Sequence, residues 1–112
     1  MRLISFGPEA GHHVDRFGSS FTLTPLMSPS DTARTVCLHL EAGGSVGAHD
    51  ALATQLFCVV NGEGWVSGDD GVPHAIQALE AAHWEAGERH AAGTDSGMVV
   101  VVIEGDFEVG TR

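Results

Sequence analysis

Hydrophobic and polar residues alternate along the first long strand predicted from the sequence. In residues 35–41 (TVCLHLE), Val36, Leu38 and Leu40 fall on one face, which is the period of two typical of a strand with one buried side. Similar short apolar runs predict strands at residues 21–27, 55–60, 65–67, 74–77, 81–85 and 98–104. Short strands with this even spacing favour an all-β fold, either a closed barrel or a double-sheet jelly roll.

Turn-forming residues separate these strands. Asn61-Gly62 and Asp70-Gly71 are dipeptides typical of β-hairpins and predict two successive hairpins, while residues 28–34 (SPSDTAR) predict a loop. A chain of 112 residues has the size of one domain. Within it we expect residues 1–34 to form N-terminal strands and a loop that pack on the barrel or in a dimer interface. Residues 35–104 would form the barrel and 105–112 a tail.

Charge and composition exclude several classes of partner. Fifteen acidic residues against five basic ones give a formal charge of −10, which repels nucleic acids and anionic membrane surfaces. The longest apolar run, residues 98–103, is too short to span a bilayer, and residues 1–13 do not resemble a signal peptide. Cys37 and Cys58 lie in apolar runs without metal-ligand spacing, which predicts buried free thiols. We therefore expect a cytoplasmic protein without nucleic-acid or membrane partners.

The segment from residue 43 to residue 62 (GGSVGAHDALATQLFCVVNG) has the spacing of a metal-binding hairpin motif with altered ligands. Gly43 is followed after five residues by His49, and six residues separate Gln55 from Gly62. This spacing resembles the first motif of the cupin superfamily, in which a second histidine stands at the position of Ala51 and a glutamate at the position of Gln55.

A second segment, residues 79–94, resembles the second cupin motif. Gly87 and His90 match that motif, whereas Leu79, Glu85 and Thr94 replace its first glycine, its proline and its asparagine. The two segments follow in the order and at the separation that the family shows. The resemblance implies a cupin-type double-stranded β-helix over residues 35–104.

The resemblance also implies a metal site with a reduced set of ligands. Cupins typically present three histidines and one glutamate, whereas this chain presents His49, Gln55 and His90. Two imidazoles and an amide predict at most a weakly bound divalent transition metal, such as zinc, nickel, copper, iron or manganese, completed by water. The alternative is that the same three residues line a metal-free pocket.

Aromatic residues near these motifs supply candidate walls for a ligand site. Phe57, Trp65 and Trp84 are expected to line a small-molecule pocket together with the three polar residues, or simply to fill the barrel. Glu85 is a candidate acid–base group, against the alternative that it lies in a solvated acidic loop.

Three functions from different classes fit these residues. The first is binding of a small organic ligand in the barrel without a defined reaction. The second is a divalent-metal-dependent enzyme, a dioxygenase, isomerase or lyase acting on a small acid or sugar. The third is a non-catalytic scaffold or regulatory homodimer, since small cupins commonly dimerise. The sequence assigns no role to His39 or His83.

Overall fold

An antiparallel β-sheet makes up most of the regular structure of this protein. The computed structural model describes residues 1–27 and 32–109. Within them the strands are β1 (His12–Val14), β2 (Phe21–Pro25), β3 (Ala33–Leu40), β4 (Ser45–Asp50), β5 (Thr54–Ser67), β6 (His74–Gln77), β7 (Ala81–Trp84), β8 (Arg89–Gly93) and β9 (Met98–Gly105). Two short 3₁₀ helices, η1 (Pro8–Ala10) and η2 (Arg16–Gly18), flank β1. The predicted all-β fold is confirmed.

An isolated bridge between Ser20 and Ser45 links β4 to the residue before β2, and the other pairings define one strand order. It runs β1-β2-β3-β9-β5-β8-β4, with β6 and β7 also paired to β5. Because β1 and β2 extend the sheet beyond β3, the N-terminal segment packs on the barrel as a continuation of the same sheet. The strand β3 begins at Ala33, so Ala33 and Arg34 belong to a strand and not to the predicted loop, of which residues 28–31 lie outside the described residues.

One predicted hairpin turn is wrong, because Asn61-Gly62 lies inside a strand. The strand β5 is continuous over 14 residues. Against β9, Val59 is opposite Val100 but Asn61 is opposite Val99, so Val60 is an extra residue that forms a bulge. Gly62 is needed there because it has a φ of 84° and because a side chain would collide with the backbone of residue 97. The predicted Asp70-Gly71 turn is confirmed between β5 and β6.

The cross-strand register arranges inward-facing side chains in rows across β3, β9 and β5. At one end, which we call the packed end, two rows have members that are at most 5% exposed: Leu40 with Met98, and Leu38 with Val100 and Val59. The next row contains Val36, Val102 and Phe57. At the other end, which we call the cavity end, Glu104 lies opposite both Arg34 and Gln55. Arg34, Glu104 and Gln55 form what we call the polar row.

The outward face of the same strands is also apolar. Its half-buried residues are Leu56, Cys58, Val99, Val101 and Ile103. The homodimer expected from the sequence stays a prediction. In the part of the chain that the structure describes, no helix has the length and apolar character needed to cross a membrane.

Candidate functional site

A cavity of about 200 Å³ lies at the cavity end of the barrel. Five of the six ligand-binding residues predicted from the sequence line it: His49, Gln55, Phe57, Trp84 and His90. The cavity also contains charged or aromatic residues that sequence reasoning did not select: His12, Arg16, Phe17, Arg34 and Glu104. The structure therefore brings both cupin-like motifs together and adds the N-terminal segment to them.

A pair of imidazoles forms one wall of the cavity. His49 of β4 lies directly opposite His90 of β8, and their ring centroids are 4.4 Å apart with the planes tilted by 56°. The Nδ1 atom of His49 lies 2.8 Å from the carbonyl oxygen of Gly47, and that of His90 lies 3.1 Å from the carbonyl oxygen of Glu88. Because a carbonyl only accepts hydrogen bonds, Nδ1 carries the proton in each ring. In the neutral form Nε2 is then a hydrogen-bond acceptor.

Burial favours the uncharged form of the His90 imidazole. His90 is only 3% exposed, and this desolvation is the main reason that the pKa of its side chain is lowered. The hydrogen bond to the backbone of Glu88 opposes this effect, whereas a positive charge on nearby His49 adds to it. The Nε2 atom of His90 therefore stays available as an acceptor to a lower pH than that of an ordinary histidine.

Aromatic rings enclose the imidazole pair. Trp84 stacks on His90 with the ring centroids 4.4 Å apart, and Phe57 meets Trp84 edge to face at 5.5 Å. On the other side, Phe17 stacks on His49 at 5.3 Å with an interplanar angle of 11°. The imidazole pair is thus held between Trp84 and Phe17.

Phe17 is held over the cavity by an unusual backbone conformation. Its φ of 59° and ψ of 28° are left-handed, which costs a bulky L-residue free energy, and its side chain is 65% exposed. The segment is anchored beside β4, where the backbone N–H of Gly47 donates to the Oγ atom of Ser19 at 2.9 Å. A side chain at Gly47 would collide with the carbonyl oxygen of Phe17. The sequence gives no local signal for this placement.

A side-chain hydrogen bond joins two members of the polar row. The Nε2 atom of Gln55 donates to the Oε2 atom of Glu104 at 2.6 Å. The carboxylate thus accepts the amide protons of Gln55, whose Oε1 atom stays an acceptor. A signal for Glu104 was present in the sequence, because it has the same parity as buried Val100 and Val102 in the predicted strand 98–104.

The donor atoms around the cavity do not fit a tightly held divalent metal. Ala51 presents a methyl group where cupins have a second histidine, and the amide nitrogen of Gln55 faces Glu104. Among residues 1–27 and 32–109, no three His, Cys, Asp or Glu side chains are grouped closely enough to hold an ion. His49 and His90 alone would supply two nitrogen ligands, fewer than protein zinc sites use. The metal site predicted at His49, Gln55 and His90 therefore lacks a third strong ligand.

Trp65 does not lie in the cavity, although it has the same sequence parity as Phe57. The bulge at Val60 adds one residue between them and so turns Trp65 to the opposite face of the strand. There its ring occupies the space that a side chain at Gly93 would need. Trp65 is therefore the one predicted ligand-binding residue that does not line the cavity with the other five.

Glu85 also lies outside the cavity, in the exposed turn between β7 and β8. Its backbone N–H donates to the Oε1 atom of Glu88 at 3.1 Å. The structure thus favours the solvated-loop alternative for Glu85, and the carboxylate that lines the cavity is Glu104.

His39, His83 and the two cysteine thiols lie outside the cavity. The Nε2 atom of His39 is 2.9 Å from the carbonyl oxygen of Phe6 on the outside of the barrel, and His83 is exposed. Cys37 is buried and Cys58 half-buried, both as free thiols, and burial raises the pKa of each, which disfavours the reactive thiolate.

Comparison with solved structures identifies the fold. The chain is similar to an RmlC-like cupin from Shewanella frigidimarina, with 20% identity over 96% of this chain and 94% of that chain and a TM-score of 0.74. It is similar to a Cupin 2 conserved barrel domain protein from Salinispora arenicola, with 15% identity over 95% and 89% of the two chains and a TM-score of 0.75. A third structure, of a predicted oxalate decarboxylase from Thermotoga maritima, has 20% identity over 91% and 99% of the chains and a TM-score of 0.73.

This protein therefore has the double-stranded β-helix fold of the cupin superfamily, as the two motifs predicted. No family model matches its sequence, and no curated protein matches it. Identities of 15–20% establish the shared fold. The use of the cavity has to be argued from the residues that line it.

Proposed function

We propose that this protein binds a small organic molecule in the cavity at the cavity end of the barrel. The observation that carries the proposal is the convergence of His49, Gln55 and His90 with the rings of Phe57 and Trp84 on one cavity. Apolar walls with a few convergent polar groups are typical of small-molecule sites. A volume of about 200 Å³ is below the range typical of drug-sized ligands, which favours a metabolite-sized molecule.

The roles of the lining residues follow from their geometry. The rings of Trp84 and Phe57, which meet edge to face, offer apolar surface to the ligand. The Nε2 atoms of His49 and His90 accept hydrogen bonds from it. The Gln55–Glu104 hydrogen bond fixes the orientation of the amide, so that Oε1 is the acceptor left for a ligand. Reversible binding is better supported than metal-dependent turnover, because the described residues lack a third strong metal ligand.

Fragment binding measured by ¹⁵N-resolved NMR tests this proposal. We expect small aromatic and hydroxylated fragments to shift the Trp84 indole and the backbone amides of β4 and β8. His49→Ala should weaken binding at least about tenfold, since it removes both an acceptor and a stacking surface.

The matched control is His74→Ala, because His74 is exposed on β6 and does not line the cavity. It should leave fragment binding unchanged. Fragments that bind elsewhere, or binding that His49→Ala does not alter, would contradict the proposal. A large loss of stability in His49→Ala would instead assign this residue a structural role.

A further inference from the structure

The cavity concentrates the positive charge of an otherwise acidic chain. The sequence has five basic residues and fifteen acidic ones, and two of the five, Arg16 and Arg34, line this cavity. They come from separate elements, Arg16 from η2 and Arg34 from β3. Such convergence in a chain with a formal charge of −10 points to a ligand that carries negative charge.

Among residues 1–27 and 32–109, neither of these two guanidinium groups has an acidic partner within salt-bridge distance. In the described part of the chain the salt bridge within 4 Å joins Arg89 to Asp50, away from the cavity. Arg34 is opposite Glu104 in the register of β3 and β9, but the Oε2 atom of Glu104 accepts from Gln55. Guanidinium groups bind carboxylates through paired, charge-assisted hydrogen bonds, so Arg16 and Arg34 retain their donors for an anionic ligand.

The amount of charge favours a single carboxylate over a phosphate. Beside the two arginines, the cavity contains the carboxylate of Glu104, which leaves one excess positive charge. A monoanion balances that charge, whereas a phosphate dianion would place additional negative charge near Glu104.

The two imidazoles require a second kind of group on the ligand, namely a hydrogen-bond donor. With Nδ1 of both rings directed at backbone carbonyls, the Nε2 atoms of His49 and His90 accept hydrogen bonds in the neutral form. A carboxylate has no proton to donate to them, but a hydroxyl group has.

We infer that the ligand is a small hydroxy acid, with its carboxylate on Arg16 and Arg34 and its hydroxyl donating to an imidazole Nε2 atom of the His49–His90 pair. This inference rests on the proposed function and specifies its ligand class. It also gives the N-terminal segment a role in the site, since Arg16 precedes the residue that stacks on His49.

The test compares acids that differ only in the hydroxyl group. Lactate and mandelate are titrated beside propionate and phenylacetate, with benzyl alcohol as the neutral probe and inorganic phosphate as the alternative anion, using calorimetry and NMR. We expect each hydroxy acid to bind about 5- to 10-fold more tightly than its deoxy partner, which is the value of one hydrogen bond. Arg34→Gln and Arg16→Gln should each weaken the hydroxy acids about tenfold or more and leave benzyl alcohol unchanged.

Arg89→Gln is the matched control, since it removes a guanidinium whose partner is a surface carboxylate, and it should bind like the wild type. Arg34→Lys, which keeps the charge but not the planar fork, should give an intermediate affinity. Equal binding of the hydroxy and deoxy acids, tighter binding of phosphate, or no effect of both Arg→Gln variants would overturn the inference. Binding of benzyl alcohol alone in the cavity would overturn it while the proposed function survives, and no binding of any probe would overturn both.

Discussion

The two ends of this barrel use the same strands for different purposes. On β9, Met98 and Val100 are fully packed, whereas Val102 and Glu104 further along the same face line the cavity. On β5 the same change occurs between packed Val59 and Gln55, which lines the cavity. Because neighbouring strands are in register, these changes coincide and produce the polar row at one level of the barrel.

This difference shows how a fold with a well-packed interior can hold a binding site. Alternation in the strands decides which side chains point inward, and it does so equally at both ends. The identity of the inward-facing residues then decides whether the interior is filled or left open. At the packed end methyl groups fill the space, and at the cavity end hydrogen-bonded and stacked side chains leave a volume of about 200 Å³.

The largest expected effect is on stability, and it should differ between the two ends when the same substitution, valine to alanine, is made at each. Val100→Ala should lower the free energy of unfolding by about 2–3 kcal/mol, because it removes two methyl groups and creates a void in packed surroundings. Val102→Ala, two residues further along β9, should cost only about 1 kcal/mol, because it enlarges a cavity that already exists. Urea denaturation measures both. Equal losses would mean that the cavity end is as tightly packed as the other.

A second change would convert the cavity end into a metal site. Gln55→Glu places a second carboxylate beside Glu104 in the cavity that the two imidazoles also line, which adds an anionic ligand that the wild type lacks. We expect divalent affinity to increase at least about tenfold, read as the rise in melting temperature with added Zn²⁺ or Ni²⁺. Gln77→Glu, on the exposed strand β6, is the control and should change nothing. An unchanged metal response of Gln55→Glu would show that these side chains cannot converge on one ion.

The pH dependence of stability should originate at the cavity end. Because the pKa of His90 is lower in the folded protein than the value of about 6.5 for an unfolded chain, the unfolded state takes up the proton first as the pH falls. The contribution of His90 is therefore complete above about pH 6.5 and is lost as the pH drops through the folded pKa. His90→Gln should reduce this slope of unfolding free energy against pH, and His74→Gln should retain it. Identical slopes for wild type and His90→Gln would exclude His90 as the source.

The smallest expected effect concerns the left-handed backbone at Phe17. Phe17→Gly relieves up to about 1 kcal/mol of backbone strain but loses the ring stacked on His49, so the net change in unfolding free energy should stay within about 1 kcal/mol. Leu79 is also left-handed, with a φ of 73°, and is 95% exposed. Leu79→Gly should therefore stabilise the protein by up to about 1 kcal/mol. If Phe17→Gly stabilises as much as Leu79→Gly does, the stacking contributes nothing.

Sequence reasoning succeeded where the signal was local and failed where it was not. Alternation in residues 35–41 predicts a strand, because it depends on neighbours in the chain, and the cupin-type fold follows from the resemblance of the segments around His49 and His90 to the family's motifs. The bulge at Val60 is set by how β5 meets β9, a strand some 40 residues away, so the dipeptide after it looked like a turn. The same bulge turns Trp65 away from the face on which Phe57 lies.

The N-terminal contribution to the site could not be predicted for a similar reason. Arg16 and Phe17 reach the cavity because η2 lies beside β4, and no periodic pattern in their own segment marks that contact. Glu104 differs from them, since it ends an apolar strand and its parity with Val102 predicts an inward-facing carboxylate. The fold was therefore more predictable than the composition of its cavity.

The position of β9 has a consequence for how the protein matures. This strand follows β3 and β5 in the chain, yet it lies between them in the middle of the sheet. During synthesis, β3 and β5 therefore emerge with their pairing edges open to each other and to other chains. The row that joins Arg34 to Gln55 forms only after Glu104 has been inserted between them. The polar row is thus complete only when β9 has paired with both neighbours, and a ligand of the cavity would select chains in which that pairing has formed.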